Sequence, residues 1–201
     1  MNDIDSYKKR VLSRSLIKYI LGLIPRIYNY CKAELICSIA RLRGATIGKN
    51  TYITLSLALK ANKNLKIGYS TIIETSLIDL RDNVFIGNNV IINKGVQIIR
   101  ATHNPHSVCF ETLSFPLLIE DFCWITTNSL ILPNCKKISY GCVTASSTTL
   151  ISSIIENKTI VGGNPMKVIK KRENIHDNIV IESLQGRDLI KYVKIRINNE
   201  R

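Results

Sequence analysis

The 201-residue chain has few aromatic residues and no long apolar run. Phe, Trp and Tyr make up 6% of the sequence, which fits a narrow aliphatic core better than a bulky aromatic one. The longest uncharged apolar stretch near the N-terminus, 19–25, is too short to span a bilayer. The first thirty residues do not read as a cleavable signal, and the six cysteines form no CxxC pair and no metal-ligand spacing. We therefore expect one main domain in the cytoplasm, with cysteines that serve packing.

Acidic residues are also scarce, because 28 Lys and Arg face only 15 Asp and Glu, a net charge of +13. Ten basic residues fall in 1–50 and ten in 151–201, but only two in 101–150. No aromatic residues are interleaved with them as a stacking platform, so a nucleic-acid partner is not expected. An anionic membrane and a phosphorylated ligand remain as partners for the two basic ends.

The middle of the chain carries an apolar residue at every sixth position. Seven positions define this period: Ile86, Ile92, Ile98, Ile119, Ile125, Ile131 and, after one miss, Val143. A period of six is neither that of a helix nor that of an ordinary strand, and it predicts short strands wound into a parallel β-helix. At the missed position Lys137 stands where an apolar residue belongs, so we expect the register to shift there to Ile138.

Each hexad continues with small and polar residues, as in 86–90, Ile-Gly-Asn-Asn-Val. We expect the apolar residue to fill the axis of the prism. Gly and Asn are expected at the corners, because both tolerate the positive φ of tight turns.

The segment 5–43 has helical spacing and many basic residues, and Pro25 is expected to divide it into two helices. Two interpretations stay open. The segment caps the open end of the prism, or it rests as a basic amphipathic helix on the cytoplasmic face of a membrane. The two are compatible.

The loop 99–117 interrupts the repeats and holds two of the three histidines, His103 and His106. Loops that leave a regular scaffold commonly carry chemistry. The third histidine, His176, lies outside the repeats, so three histidine ligands from neighbouring coils are not available and no metal is expected.

Several motifs together resemble the left-handed β-helix acetyltransferases, and among them the sugar and polysaccharide O-acetyltransferases. The motifs are Ile86-Gly87-Asn88-Asn89-Val90, Thr102-His103, Ile119-Glu120-Asp121, Trp124-Ile125, Ile131-Leu132-Pro133 and the closing 159–169. The resemblance implies an all-β fold, a left-handed parallel β-helix with an N-terminal helical segment and a short C-terminal extension. We expect a helical cap at 1–45, a catalytic β-helix at 46–165 and an extension at 166–201.

By resemblance, His103 is the catalytic base that takes a proton from the acceptor hydroxyl and returns it to the CoA sulfur. An imidazole suits this role because its ordinary pKa lies close to neutral pH. Glu74 is the nearest candidate for the acidic partner that many relatives pair with this histidine. His106 either orients the acceptor or faces solvent.

The resemblance also implies a binding site for acetyl-CoA. Trp124 would line the acetyl and pantetheine slot, pointing outward from the thin prism. The backbone groups of Thr127 and Ala145 would meet the thioester and pantetheine amides, and Gly162 and Gly163 would let the backbone pass close to the adenosine. Four basic residues after the last coil would face the 3′-phosphate, or form a solvated face: Lys167, Lys170, Lys171 and Arg172.

These residues predict an acetyl-CoA-dependent O-acetyltransferase acting on a sugar hydroxyl, in a surface polysaccharide or its lipid-linked precursor. The alternatives are N-acetylation of an amino sugar on a nucleotide and a non-catalytic assembly module. The resemblance further implies a homotrimer with active sites between subunits and a carbohydrate acceptor, and the lack of interleaved aromatic residues argues against nucleic acid. The location is cytoplasmic, with peripheral membrane contact through the N-terminal segment as an option.

Overall fold

The computed structural model describes residues 3–173, 175 and 181–198. The helices are α1 (Asp3–Leu12), α2 (Leu16–Leu42), α3 (Leu55–Lys60), a 3₁₀-helix (Ile181–Gln185) and α4 (Leu189–Ile197). The strands of the first coils are β1 (Thr46–Ile47), β2 (Tyr52–Ile53), β3 (Leu65–Ile67), β4 (Ile72–Ile73), β5 (Val84–Ile86), β6 (Ile91–Ile92) and β7 (Gln97–Ile98). After them come β8 (Ala101–His103), β9 (Thr112–Ser114), β10 (Leu117–Ile119), β11 (Trp124–Ile125), β12 (Leu130–Ile131), β13 (Lys137–Ile138), β14 (Val143–Thr144), β15 (Thr149–Leu150), β16 (Thr159–Gly162) and β17 (Lys167–Lys171).

The repeats form three sheets that the chain visits in turn, and their strands pair parallel except for β17, which pairs antiparallel with β16. Sheet 1 has the order β1-β3-β5-β10-β13, sheet 2 has β17-β16-β14-β11-β6-β4-β2, and sheet 3 has β15-β12-β7. Equivalent residues of successive coils pair in register, as in Ile47 with Ile67 and Ile67 with Ile86. This is a three-sided parallel β-helix, as the period of six predicts. The helices lie mainly outside it, so the all-β description applies to the repeats and not to the whole chain.

The axis of the β-helix is filled by buried aliphatic side chains, among them Ile53, Ile73, Ile92 and Ile125. The predicted register shift is confirmed, because Ile138 is fully buried and pairs with Ile119. The prediction for Val143 is wrong by one residue. Because the shift adds one residue to that coil, Thr144 points to the axis instead.

The corner residues differ in their roles. Asn50 and Asn89 have φ of 56° and 53°, as predicted for the tight turns. Gly87 does not have positive φ; a Cβ there would lie 2.8 Å from the backbone nitrogen of Asp121 in the next coil. Gly87 is therefore needed for close stacking of coils rather than for positive φ. Gly95, with a φ of 77°, does adopt the conformation that was expected of glycine at the corners.

The prediction that Pro25 divides the N-terminal helix is also wrong. The break falls at 13–15, where the Ser15 hydroxyl accepts a hydrogen bond from the Lys18 N–H, and α2 continues through Pro25. Packing holds the helix together on both sides of the proline, because Tyr19 stacks on Tyr192 and the Arg26 guanidinium lies 4.0 Å from the same ring. Tertiary contacts thus outweigh the local preference.

The N- and C-terminal helices form a second, smaller core. Tyr7, Val11, Tyr19 and Tyr192 are buried together. Asp188, which is 2% exposed, accepts from the Tyr7 hydroxyl and pairs with Arg26 Nε at 3.0 Å. The second half of α2 packs instead on the first coil, where Cys37 and Ala40 join the core of the β-helix.

Candidate active site

His103 lies on a hairpin that projects from the β-helix. Strands β8 and β9 pair antiparallel, with His103 opposite Thr112. The His103 Nδ1 lies 2.6 Å from the carbonyl oxygen of Phe110. A carbonyl can only accept, so Nδ1 carries the proton and Nε2 keeps a free lone pair. The exposed imidazole is thereby oriented as a proton acceptor through Nε2.

The carbonyl that fixes this tautomer belongs to a residue in an unusual conformation. Phe110 has a φ of 47°, in the left-handed region that non-glycine residues seldom adopt. Such conformations persist where the surrounding structure enforces them, and they cluster at functional sites. His106 lies near the tip of the same hairpin, exposed, with its backbone N–H donating to the Asn104 side chain.

The root of the hairpin is held by Asp79 and Arg100, which sequence reasoning missed. The Asp79 carboxylate accepts from the backbone N–H of Arg100 at 3.1 Å and of Ala101 at 3.2 Å. Burial alone would raise the pKa of Asp79, but hydrogen bonds from Arg81 and the Arg100 N–H outweigh it and hold that pKa at about 2. The only sequence signal was its place directly after Ile78, which is buried.

Asp79 should make stability dependent on acid pH. Its pKa is depressed in the folded chain, so its contribution is complete above the unfolded pKa near 4 and is lost as pH falls towards 2. We expect the free energy of unfolding, measured with urea, to fall by about 2 kcal/mol over that pH window. In the Asp79→Asn variant this fall should be absent. Equal pH slopes in both proteins would contradict this assignment.

Arg100 is fully buried, and burial lowers its pKa. Its guanidinium donates to the carbonyls of Cys135 at 3.0 Å and Leu132 at 2.5 Å, with Pro116 at 3.5 Å. The sequence places Arg100 in the loop, where a charged side chain is ordinarily taken to face solvent. Instead it ties the root of the hairpin to the next coil.

A row of polar side chains runs across the outer surface of sheet 2. Trp124, 44% exposed, points outward as expected, and its Nε1 donates to Asn93 Oδ1 at 2.7 Å. The Asn93 amide donates to Glu74 at 3.2 Å, and Gln185 donates to the other Glu74 oxygen. Glu74 and Asn93 follow equivalent strands, β4 and β6, which is why the coils align them.

The geometry separates this row from His103 within one chain. The hairpin leaves the corner between sheets 3 and 1, whereas Trp124 lies on sheet 2, the face opposite that corner. The Glu74 carboxylate bonds to Asn93 and Gln185, while His103 bonds to Phe110. The expected Glu74–His103 pair is therefore not among the contacts of the described residues.

The candidate residues for the pantetheine arm are already engaged with neighbouring coils. The Ala145 N–H donates to the Val161 carbonyl at 2.7 Å. The Thr127 carbonyl accepts from Ser147 N and from the Ser146 hydroxyl, both at 3.0 Å. A bound amide would have to displace one of these hydrogen bonds or use another group.

Gly162 and Gly163 end the last coil. A Cβ at Gly162 would lie 2.6 Å from Ile169 Cδ1 and 3.1 Å from the Ala145 Cβ. Gly163 has a φ of 96°. The fold of the chain alone therefore explains why glycine stands at both positions.

The basic residues after the last coil are not equivalent. Arg172 is half-buried and donates to the carbonyls of Phe122 at 2.9 Å and Gly141 at 3.1 Å, and burial lowers its pKa. Its Nη1 thus braces the β-helix, and the phosphate contact expected of Arg172 stays a prediction. Lys171 pairs with Glu156 at 2.5 Å. Lys167 and Lys170 stay exposed on β17 and remain candidates for a phosphate.

The described residues contain no group of three or more His, Cys, Asp or Glu side chains placed to hold a metal. His176 lies outside the described residues. Four cysteines are buried and free, and burial raises the pKa of Cys123 to about 12 and of Cys135 to about 11. These thiols pack in the core of the β-helix.

No protein-family model matches the chain. WcaF of Escherichia coli K12, whose assignment as a colanic acid biosynthesis acetyltransferase is itself inferred, is 27% identical over 133 residues, 66% of this chain and 72% of WcaF. The structure of galactoside acetyltransferase in complex with coenzyme A matches with a TM-score of 0.53 at 18% identity, covering 76% of this chain and 83% of that one.

A variant of AntD, an N-acyltransferase from Bacillus cereus in complex with dTDP-4-amino-4,6-dideoxyglucose and coenzyme A, has a TM-score of 0.53 at 13% identity, covering 79% and 94% of the two chains. At such identities the structural matches show the fold alone. The relative found by sequence and the galactoside acetyltransferase found by fold are both named as acetyltransferases. The resemblance to acetyltransferases is thus confirmed, because this chain is similar in sequence to WcaF and shares the fold of solved acetyltransferases.

Proposed function

We propose that the chain transfers an acetyl group from acetyl-CoA to a sugar hydroxyl during the synthesis of a surface polysaccharide or its lipid-linked precursor, in the cytoplasm. The observation that carries the proposal is the bond between His103 Nδ1–H and the Phe110 carbonyl, which leaves Nε2 free to accept a proton. The sequence relationship to WcaF supports a polysaccharide acceptor. The coils are proposed to wind left-handed, as the family resemblance implies.

The proposed reaction needs one base and no metal. The acceptor hydroxyl gives its proton to His103 Nε2 while its oxygen bonds to the thioester carbonyl carbon. The carbon–sulfur bond then breaks, and the imidazolium returns the proton to the departing CoA sulfur. Because His103 only borrows the proton, no acetyl-enzyme forms.

The row on sheet 2 is proposed to receive the donor. The hydrogen bonds from Trp124 through Asn93 to Glu74 would fix the indole against the acetyl and pantetheine part of CoA. Glu74 then acts on the tryptophan side of the site rather than directly on His103. Lys167 and Lys170 are proposed to face the 3′-phosphate, and His106 to orient the acceptor.

We propose a homotrimer in which each active site forms between two copies. The support is the separation of the two groups, because the His103 hairpin and the Trp124 row lie on opposite sides of one prism. A copy that presents its hairpin to the sheet 2 face of a neighbour would bring base and donor together. The cleft between them would give the long CoA molecule two walls.

The test is release of free thiol from acetyl-CoA with a panel of sugars, nucleotide-linked amino sugars and lipid-linked oligosaccharides. We expect release that depends on a hydroxyl acceptor, with an O-acetyl product identified by mass spectrometry. Release that depends only on amino sugars would replace the proposal with N-acetylation. Failure to bind CoA at all would overturn both and favour an assembly module.

A further inference from the structure

Helix α2 carries apolar side chains on two opposite faces. One face is buried through Tyr19, Ala33, Cys37 and Ala40. The other face is bare, and its side chains are half or more exposed in most cases. We define the α2 stripe as Ile17 (72% exposed), Ile20 (50%), Leu21 (60%), Ile24 (63%), Ile27 (48%) and Tyr28 (64%). A helix that is apolar all round is ordinarily buried or in contact with lipid.

The stripe is continuous, because its members recur every three or four residues on one side of the helix. Soluble monomers seldom expose one apolar patch larger than about 300–600 Å² without a partner for it. Exposed apolar residues elsewhere, such as Ile155, stand apart from such a stripe. We therefore expect the α2 stripe to contact a binding partner.

The surrounding charge identifies that partner. Between 3 and 42 the chain has eight basic and three acidic residues. Lys18 and Lys32 are exposed on α2, and Lys8, Lys9 and Arg10 are exposed on α1. The acidic Glu34 is engaged by Arg41 and Arg187. Exposed basic residues on the helix that carries the stripe, and on the helix before it, complement an anionic lipid surface, whereas a second copy would bring the same positive charge against them.

The stripe suits a helix that lies on a bilayer. Among the described helices, none is long and apolar enough to cross one. From Ile17 to Tyr28 the stripe measures roughly 17 Å, at 1.5 Å for each residue. Tyr28 has the Lys32 Nζ 5.9 Å from its ring centroid, a pair typical of the headgroup region.

The geometry points to a membrane-docking surface. The α2 stripe inserts among the lipid chains at the edge of the headgroups, and the lysines of α1 and α2 contact anionic phosphates. Docking would hold the enzyme at a surface that carries lipid-linked acceptors. The inference itself does not depend on the transfer chemistry, since binding to lipid is measured without CoA or acceptor.

The test is sedimentation of the full chain with vesicles of equal parts phosphatidylglycerol and phosphatidylcholine. We expect binding that Ile17→Gln/Ile24→Gln weakens by at least about tenfold, because two half-exposed apolar groups no longer leave water. Lys18→Gln/Lys32→Gln should weaken it by about fivefold for each lysine removed. Pure phosphatidylcholine vesicles should bind less, and added salt should reduce binding to the anionic ones.

Ile151→Gln/Ile155→Gln is the matched control. Both isoleucines are exposed, and they lie between β15 and β16 of the repeats rather than on α2. It should bind vesicles as the unaltered chain does. Unchanged binding of Ile17→Gln/Ile24→Gln would overturn the inference. A second result would also overturn it: the unaltered chain binds no vesicles, and the Ile17→Gln/Ile24→Gln variant forms a smaller oligomer than the unaltered chain. The stripe would then be a contact between copies of the chain.

Discussion

Replacement of His103 by Ala should lower kcat for acetyl transfer by about 10²–10⁴-fold, the usual worth of a positioned general base. The KM for acetyl-CoA should stay nearly unchanged, because the donor is proposed to lie on the Trp124 row. The His103 imidazole offers a lone pair at Nε2 because its Nδ1 donates to the Phe110 carbonyl. The thiol-release assay measures both constants.

Val108→Ala is the control for this variant, since Val108 is fully exposed at the same hairpin. It should leave kcat close to that of the unaltered chain. If His103→Ala kept its activity, another group would have to be the base. Circular dichroism would show that the repeats remain folded.

The same variant also tests the shared active site. Mixed trimers of His103→Ala and Trp124→Ala chains should regain activity, because some interfaces combine an intact His103 with an intact Trp124. With random mixing of equal amounts, one half times one half, or about a quarter, of the sites are complete. No recovery would mean that both residues serve one site from a single chain.

Arg100→Met should give the largest loss of stability. Met keeps much of the side-chain volume, but the buried Cys135 carbonyl loses its guanidinium donor, as do the part-buried carbonyls of Leu132 and Pro116. Carbonyl groups left without a hydrogen bond in this way cost several kcal/mol together. We therefore expect the free energy of unfolding to fall by at least about 3 kcal/mol and the Tm by roughly 10 °C. Thermal unfolding followed by circular dichroism measures the change.

Arg81→Gln is the matched control, because the Arg81 side chain is 61% exposed and its partner Asp79 keeps its backbone donors. It should change stability far less than Arg100→Met does, because exposed ion pairs contribute little to folding. If Arg100→Met were as stable as the unaltered chain, release of the buried charge would have offset the lost hydrogen bonds. The hairpin root would then rest on Asp79 alone.

The repeats could be predicted from sequence because their physics is local. An apolar residue every sixth position marks each turn of the coil, and even the register shift to Ile138 was visible at Lys137. The error at Val143 followed from counting on in sixes across that shift. Pro25 was misjudged because its helix is held by Tyr192, far away in sequence.

The site was less predictable, because its contacts join distant segments. His103 and Trp124 stand in recognisable motifs, but Asn93 and Gln185 do not, and their hydrogen bonds with Trp124 and Glu74 appear only when coils stack. The role of Arg172 was hidden for the same reason. Its partners, Phe122 and Gly141, are backbone carbonyls that no side-chain pattern records.

The antiparallel strand β17 has a consequence for solubility. A stack of parallel coils exposes unpaired N–H and C=O groups at its last strand, and such an edge can recruit strands from other molecules. Here β17 turns back along β16, with a bulge between Ile160 and Val161 and lysines along its length. Charged, irregular edges resist pairing with further strands. We therefore expect β17 to prevent other molecules from adding to the end of the β-helix and forming fibres.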